Sequence, residues 1–403
     1  MLRLHLLLAC GIAILFCDSD SARLYAEKPE LIGVASFSGT MSDLSTFEDK
    51  LGNGEPHNRL GGFSALEYTG KRNRYAILSD RGPDDGATGY QCRYHFIDIK
   101  IEPKNSPAVT TQLISTEQLF DAHGRAYPGL SSQIEPSATL AARFDPEGFR
   151  FGQDGRFWIA EEYGPQIIEF GSDGRALRSL ELPEHFKVQF PADVKQVENK
   201  LNETGRASNN GIEGLAFLPD AKSLFGIMQH VLLQDCERDD TGKPRGLHCR
   251  LLRIDTMSGG VQEFVYRLDS TDHVLSEILA VSNHEFLVIE RDKRPGTDAR
   301  FKRVVSIDTT GATEIGSVRQ LPPWNLPDTI KPVKKTPYLD LLDPAYDLSG
   351  EAMPEKLEGL TFGPALKDGR RTVVIASDND FNAESPSKLF VFAEPTDPAG
   401  HSQ

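Results

Sequence analysis

Cysteine is scarce in this chain, and what little there is lacks metal-binding spacing. Five cysteines occur in 403 residues, and none forms a Cys-x-x-Cys pair, which excludes a thiolate zinc site. Basic residues are outnumbered, with Lys+Arg 44 against Asp+Glu 59 and a net charge of −15. Nucleic acids and anionic membranes are therefore poor partners, because phosphate backbones are held by clustered cations. No G-x-S-x-G elbow occurs; the nearest run, Gly62-Phe63-Ser64-Ala65-Leu66, lacks the last glycine, so Ser64 reads as a residue of architecture rather than a nucleophile. His284-Glu285 has no second histidine at zinc-motif spacing, and His95, His123 and His230 read as strand or loop residues. Walker and dinucleotide fingerprints are missing too. Beyond residue 16 no run is long and apolar enough to cross a bilayer as a helix.

The first 22 residues stand apart. Arg3 precedes the apolar run Leu4–Phe16, and the polar stretch Asp18-Ser19-Asp20-Ser21-Ala22 follows. This is the layout of a secretory signal peptide, expected over 1–22, and it places the protein outside the cytoplasm, periplasmic or secreted. A lipid anchor at Leu7-Leu8-Ala9-Cys10 is the alternative. Cys92, Cys236 and Cys249 remain after the signal. In an oxidising compartment Cys236 and Cys249, flanking a polar loop, are expected to form a disulfide; buried free thiols are the competing expectation. Asn202-Glu203-Thr204 matches a glycosylation acceptor.

What the chain has in abundance is turns and short apolar runs: Gly 35, Pro 25 and 39% hydrophobic residues, a composition that favours strands over long helices. Five segments repeat one pattern, an acidic or polar residue opening an apolar strand, a turn, and a second apolar strand closing on an acid. They lie at 62–82, 146–164, 211–230, 275–292 and 356–380. The opening position holds Ser64, Glu147, Glu213, Glu277 and Glu358; the closing one holds Asp80, Glu161, Gln229, Glu290 and Asp378. Further strand-like text follows each pair. Four strands per unit, arranged radially, predict an all-β fold, a β-propeller of five visible blades with room for a sixth. The last unit lacks an outer strand, which Leu31–Ser38 would supply, closing the ring. The domain is expected over 30–396. The insertions at 112–143, 183–210 and 319–355 read as loops or short helices, the last made a poor strand by its five prolines.

In such a blade the first strand lines the channel and the second returns beside it. Both acidic positions of every repeat are then expected at one mouth of the channel. So many carboxylates cannot all stay ionised in a small space without a compensating cation. Calcium, a hard ion with oxygen ligands, is the expected cofactor, held by Asp80, Glu147, Glu213, Glu290, Glu358 and Asp378. Arg81, Arg291 and Lys293 lie beside these acids and are expected to hold a substrate's phosphate oxygens.

The motifs SALEY, AILSDRGP, DPEGFRFGQDGRFWIAEEYGP, NNGIEGLAFLPD, FVYRLD, FLVIERD, KLEGLTF and VVIASDNDF together resemble the phytase-like family, "esterase-like activity of phytase". The resemblance runs from about Leu31 to Glu394. It implies an exported, propeller-like protein related in name to calcium-dependent β-propeller phytases. The family's motif positions fall on Glu147, Glu161, Glu162, Glu213, Glu290, Arg291, Asp292, Glu358, Asp378 and Asp380, with Ser64 and Gln229-His230 departing from the acidic pattern. The expectation that follows is a monomeric, calcium-dependent hydrolase of small phosphate esters, with Glu161, Glu162 and Arg291 at the reaction centre. A carboxylic-ester or lactone hydrolase and a ligand-binding propeller with structural calcium are the alternatives.

Overall fold

The computed structural model describes residues 28–395; the expected signal peptide, with Cys10 and Cys17, lies outside them. Five four-stranded antiparallel sheets stand around one axis. The chain starts in β1 (Glu30–Phe37) and then builds the first blade from β2 (Phe63–Tyr68), β3 (Arg74–Ser79), β4 (Arg93–Ile101) and β5 (Val109–Gln118). The second blade is β6 (Pro146–Phe151), β7 (Phe157–Glu161), β8 (Gln166–Phe170) and β9 (Ala176–Leu180). The third is β10 (Ile212–Phe217) and β11 (Ser223–Met228), then a small hairpin, β12 (Glu237–Arg238) and β13 (Pro244–Arg245), then β14 (His248–Asp255) and β15 (Val261–Arg267). The fourth is β16 (Val274–Ala280), β17 (Glu285–Arg291), β18 (Lys302–Asp308) and β19 (Lys334–Asp340). The fifth is β20 (Lys356–Gly363), β21 (Thr372–Asp378) and β22 (Ser387–Ala393), completed by β1 at its outer edge. The ring is thus closed by the N-terminal strand as expected, with five blades and no sixth among the described residues.

The second strand of each blade has neighbours on both faces, so its sequence runs apolar without alternation. SLFGIM in β11 and TVVIASD in β21 are buried at every residue. The inner strands β2, β6, β10, β16 and β20 touch one another in a closed circle. Apolar side chains between adjacent sheets fill the space, as where Leu66 and Ile77 of the first blade pack with Val374 and Leu389 of the fifth.

Three expectations fail here. The stretch 112–143, read as loop or short helix, begins within β5, which runs to Gln118. The proline-rich stretch 319–355 contains β19, an edge strand in which Pro337 lies opposite Val305 beside a register shift. Proline is tolerated there because an edge strand has one row of N–H groups facing away from the sheet. The Cys236–Cys249 disulfide is not formed, and both residues are free thiols, as is Cys92. Cys249 sits inside β14 opposite Tyr266, packed into the core between the third and fourth blades. Cys236 Sγ instead donates to the Leu233 carbonyl at 3.1 Å. The sequon residue Asn202 is also unsuited to its expected modification. It is buried, and its Nδ2 donates to the carbonyls of Phe190 and Glu198.

Candidate functional site

Every inner strand has a one-residue irregularity at the same end. Pairing skips Ser64 in β2, Glu213 in β10, Ser276 in β16 and Glu358 in β20. In β6 the register slips across Glu147 and Gly148. A bulge re-aims the side chain it carries. The residues that follow the closing strands are also equivalent: the N–H of Asp80, Glu162 and Gln229 donate to the carbonyls of Gly62, Asp145 and Gly211, while Arg291 and Asp378 pair with Val274 and Lys356. The mouth is therefore ringed by Ser64, Glu147, Glu213, Ser276 and Glu358 from the first strands. Asp80, Glu162, Gln229, Arg291 and Asp378 stand beside them from the second.

This ring corrects the sequence alignment by one residue in two blades. In the second blade the mouth position is Glu162, not Glu161; Glu161 turns away and accepts the N–H groups of Tyr163 at 2.9 Å and Gly164 at 2.6 Å. In the fourth blade the two positions are Ser276 and Arg291, not Glu277 and Glu290. Glu290 points toward the third blade, where it accepts from Tyr266 Oη at 2.6 Å and Asp269 N at 2.8 Å and meets His273 and Lys335. Burial raises its carboxyl, but His273, Lys335 and Tyr266 outweigh this and hold it at about 2. Glu277 occupies the position that is Gly148, Gly214 and Gly359 in other blades, on the narrow axis below the mouth. A Cβ on Gly214 would stand 2.5 Å from Glu277 Oε1, so the third blade has room only for glycine at this level.

Two residues not singled out in the sequence complete the mouth. Asp145 and Lys356 both lie two positions before a bulge, where the first and third blades have Gly62 and Gly211. Asp145 is fully buried and ion-paired to Arg81. Lys356 pairs with Asp378 at 3.0 Å and also with Asp380. The acids gather in two groups whose carboxylate oxygens lie within 4.8 Å of one another: Asp80, Asp378 and Asp380, and Asp145, Glu147 and Glu162. Glu213, within hydrogen-bonding reach of Glu162, and Glu358 are both buried. Gln229 Nε2 donates to Glu213, and Arg291 binds Ser276 Oγ at 2.8 Å and Glu358. Gly211 N donates to Glu162 Oε1 at 2.7 Å.

Two of the three basic residues expected to hold phosphate are therefore occupied. Arg81 is spent on Asp145 and Asp85, and Arg291 on Glu358. Lys293 is different. It is exposed at the rim, within electrostatic reach of Glu213 and Glu162. His230 follows Gln229 at the rim and faces the Thr271 carbonyl at 3.3 Å.

Eight carboxylates share the mouth with three paired cations, Arg81, Arg291 and Lys356. The imbalance shows in their titration. Burial, and then the charges of Glu162 and Glu358, push Glu213 well above the usual carboxylate range. Burial followed by Glu213 and Asp145 does the same to Glu147, and burial with Asp378 and Asp145 to Asp80. Asp378 is raised to about 7 by burial, against the pull of Lys356. Glu162 Oε2, Glu213 Oε2, Glu358 Oε2 and Gln229 Oε1 are buried without a hydrogen-bond partner. The Glu162 and Glu213 carboxyls are within hydrogen-bonding reach of each other, so oxygens gathered in this way take either a shared proton or a cation with oxygen ligands.

Among solved structures, a luciferin-regenerating enzyme aligns over 83% of this chain and 92% of its own, at 10% identity and a TM-score of 0.37. The major allergen Mala s 1 of Malassezia sympodialis aligns over 87% and 83%, at 11% identity and a TM-score of 0.36. A curated relative, an uncharacterized secreted protein of Arthroderma benhamiae, is 30% identical over 293 residues, or 57% of this chain and 56% of the relative. The chain thus spans little more than half the length of that relative. The family model for the esterase-like activity of phytase matches residues 58–381, a span that includes all five inner strands and every residue of the acidic mouth, and the chain belongs to this phytase-like family.

Proposed function

We propose that the protein is an exported, calcium-dependent hydrolase of small phosphate esters, working at the acidic mouth of the propeller. The observation that carries this reading is the set of buried oxygens of Glu213, Glu358 and Gln229 without a hydrogen-bond partner, in a mouth with five carboxylates more than paired cations. Hard oxygen donors of this kind suit calcium. Export is supported by the N-terminal apolar segment and by the secreted relative; no helix of the described residues is long and apolar enough to cross a membrane.

Glu147, Glu213, Glu358 and Asp80, with Asp378 and the Gln229 amide oxygen, are the groups that would hold the ion. An ion held by these residues would supply a Lewis acid for an ester oxygen and a water. Glu162 would take the proton of an attacking water at Oε2, a role supported by burial and the neighbouring Asp145 charge, which raise its proton affinity. Lys293 supplies the unpaired charge that meets an anionic ester at the rim. Arg291 acts on Glu358, fixing its orientation through the Ser276 contact. A carboxylic ester or lactone is the second reading, favoured by one observation: Arg81 and Arg291 already have carboxylate partners.

A panel of chromogenic phosphate and carboxylic esters, assayed with calcium, with zinc and with chelator, tests both. Calcium-dependent release from the phosphate ester is the expected result, reduced in Glu213→Gln and Lys293→Ala. Release from carboxylic esters alone would select the second reading. Calcium binding without any turnover would make the protein a binder.

A further inference from the structure

The strand-to-strand insertion 183–210 lies on the same face as the mouth. Its short helix, Lys195–Leu201, is fixed from below. Glu198 is buried and receives Arg143 at 3.0 Å and Arg206 at 2.8 Å, and Arg206 in turn donates to the Tyr163 carbonyl at 2.8 Å. Lys195 reaches Asp85, the partner of Arg81. The preceding turn is fixed as firmly. Asn202 accepts the N–H groups of Gln189 at 3.0 Å and Phe190 at 2.9 Å and donates back to the Phe190 carbonyl.

This rigid frame holds apolar side chains outward. Phe190 is 56% exposed, Val194 48%, Val197 46% and Leu201 52%. They are half of the eight large apolar side chains exposed among the described residues, gathered into twelve consecutive positions. Val197 and Leu201 fall at i and i+4, one side of the helix, with Val194 at its extended N-cap. Scattered exposed apolar residues are ordinary, whereas a cluster rimmed by polar groups marks an interaction surface. Buried ion pairs are costly to assemble, and here they serve to display an apolar stripe to water.

We infer that this stripe seats on a zwitterionic lipid surface, so that the mouth beside it receives an amphiphilic ester presented from that surface. Three observations choose this occupant. The charges of 183–210 that reach solvent balance, Glu184, Asp193 and Glu203 against Lys187, Lys195 and Lys200, although the chain as a whole is at −15; a net-neutral patch matches a net-neutral headgroup layer. The stripe is aliphatic with one Phe and lacks the Trp, Tyr and Arg anchors of protein interfaces. Four side chains are also far fewer than the roughly 20–30 residues a protein partner engages, while shallow insertion of one apolar helix face is how interfacial helices bind. The inference rests on the hydrolase reading for what is delivered, and not for the docking itself.

Sedimentation with phosphatidylcholine vesicles in chelator tests the docking apart from any turnover. The full chain is expected to pellet with vesicles. Phe190→Ser/Val197→Ser/Leu201→Ser should lower that partitioning at least tenfold while hydrolysis of a short chromogenic ester is unchanged. The single Val197→Asp variant, at an exposed position, gives the same reading if the triple variant is unstable. A wild-type chain that stays in the supernatant overturns the inference. So does equal pelleting of the variants, or a concentration-dependent dimer in sedimentation equilibrium that the variants abolish.

Discussion

Arg150 and Glu277 meet at 3.0 Å on the propeller axis, below the mouth. Arg150 also donates to the carbonyls of Phe149, Ile278 and Leu360, and Glu277 Oε1 accepts the N–H of Leu215 at 3.1 Å. Arg150 reaches the Leu66 carbonyl of the first blade as well, at 3.4 Å, so all five inner strands are tied around one ion pair, which also plugs the channel. Burial pushes the Glu277 carboxyl up to about 8 against the attraction of Arg150. Arg150→Met should leave that carboxyl without its partner and cost about 3–5 kcal/mol. Adding Glu277→Ala should recover a large part of the loss, because Ala65 fills the same position in the first blade. Chemical denaturation of the two single variants and the double variant measures this. Additive losses would show that the pair does not couple the strands.

The mouth ring separates acids that look alike in sequence. Glu213→Gln and Glu358→Gln each remove a carboxylate charge from the candidate ion site, and titration calorimetry should show calcium affinity at least tenfold weaker, on the order of 1.4 kcal/mol. Glu290→Gln should leave calcium affinity unchanged. It should instead lower stability by about 1–3 kcal/mol, since Lys335, His273 and Tyr266 lose a charged acceptor. Equal effects on calcium from all three variants would mean that the ring has been drawn wrongly.

The fold was legible in the sequence because blade periodicity, fully apolar second strands and the missing outer strand of the last unit all survive as text. The parity of the site was not. A strand slip of one residue moves a side chain to the other face, and LSEILA aligns with IEGLAF equally well by eye whether Ser276 or Glu277 matches Glu213. Only the bulge between Leu275 and Glu277 decides it. Glu161 and Glu162 pose the same ambiguity within one dipeptide. The basic residues illustrate a different limit. Arg81, Arg291 and Lys293 are all charged neighbours of acids in sequence, and only three-dimensional pairing shows that the two arginines are engaged and Lys293 is not.

Three free thiols are expected in the folded domain. Burial raises the Cys92 and Cys249 thiols well above their usual range, so both should resist alkylation in native buffer and react only after unfolding. Cys236, half-buried and with a thiol raised mainly by burial, should react at an intermediate rate. Peptide mapping without reductant should recover all three singly modified; a linked Cys236–Cys249 peptide would contradict the structure.

The pH dependence of stability distinguishes an ion site from a set of strand caps. Without the ion, Glu213, Glu147 and Asp80 hold protons more tightly than in the unfolded chain, and Asp378 titrates at about 7 instead of near 4. The folded state then binds more protons than the unfolded state between roughly pH 4 and pH 7, so its stability is present at the low end and falls as pH rises through that window. Glu290 runs the other way. Held at about 2, it contributes stability above its unfolded value that is lost only in stronger acid. In chelator the melting temperature should therefore drop on the order of 5 °C from pH 5.5 to pH 8. Calcium takes the place of the shared protons, so its stabilising effect should be small at pH 5.5 and large at pH 8. Scanning calorimetry at both pH values, with calcium and with chelator, supplies the four melting temperatures. A calcium effect that is equal at the two pH values, or larger in acid, would show that the raised carboxylates of the mouth are not the groups the ion meets.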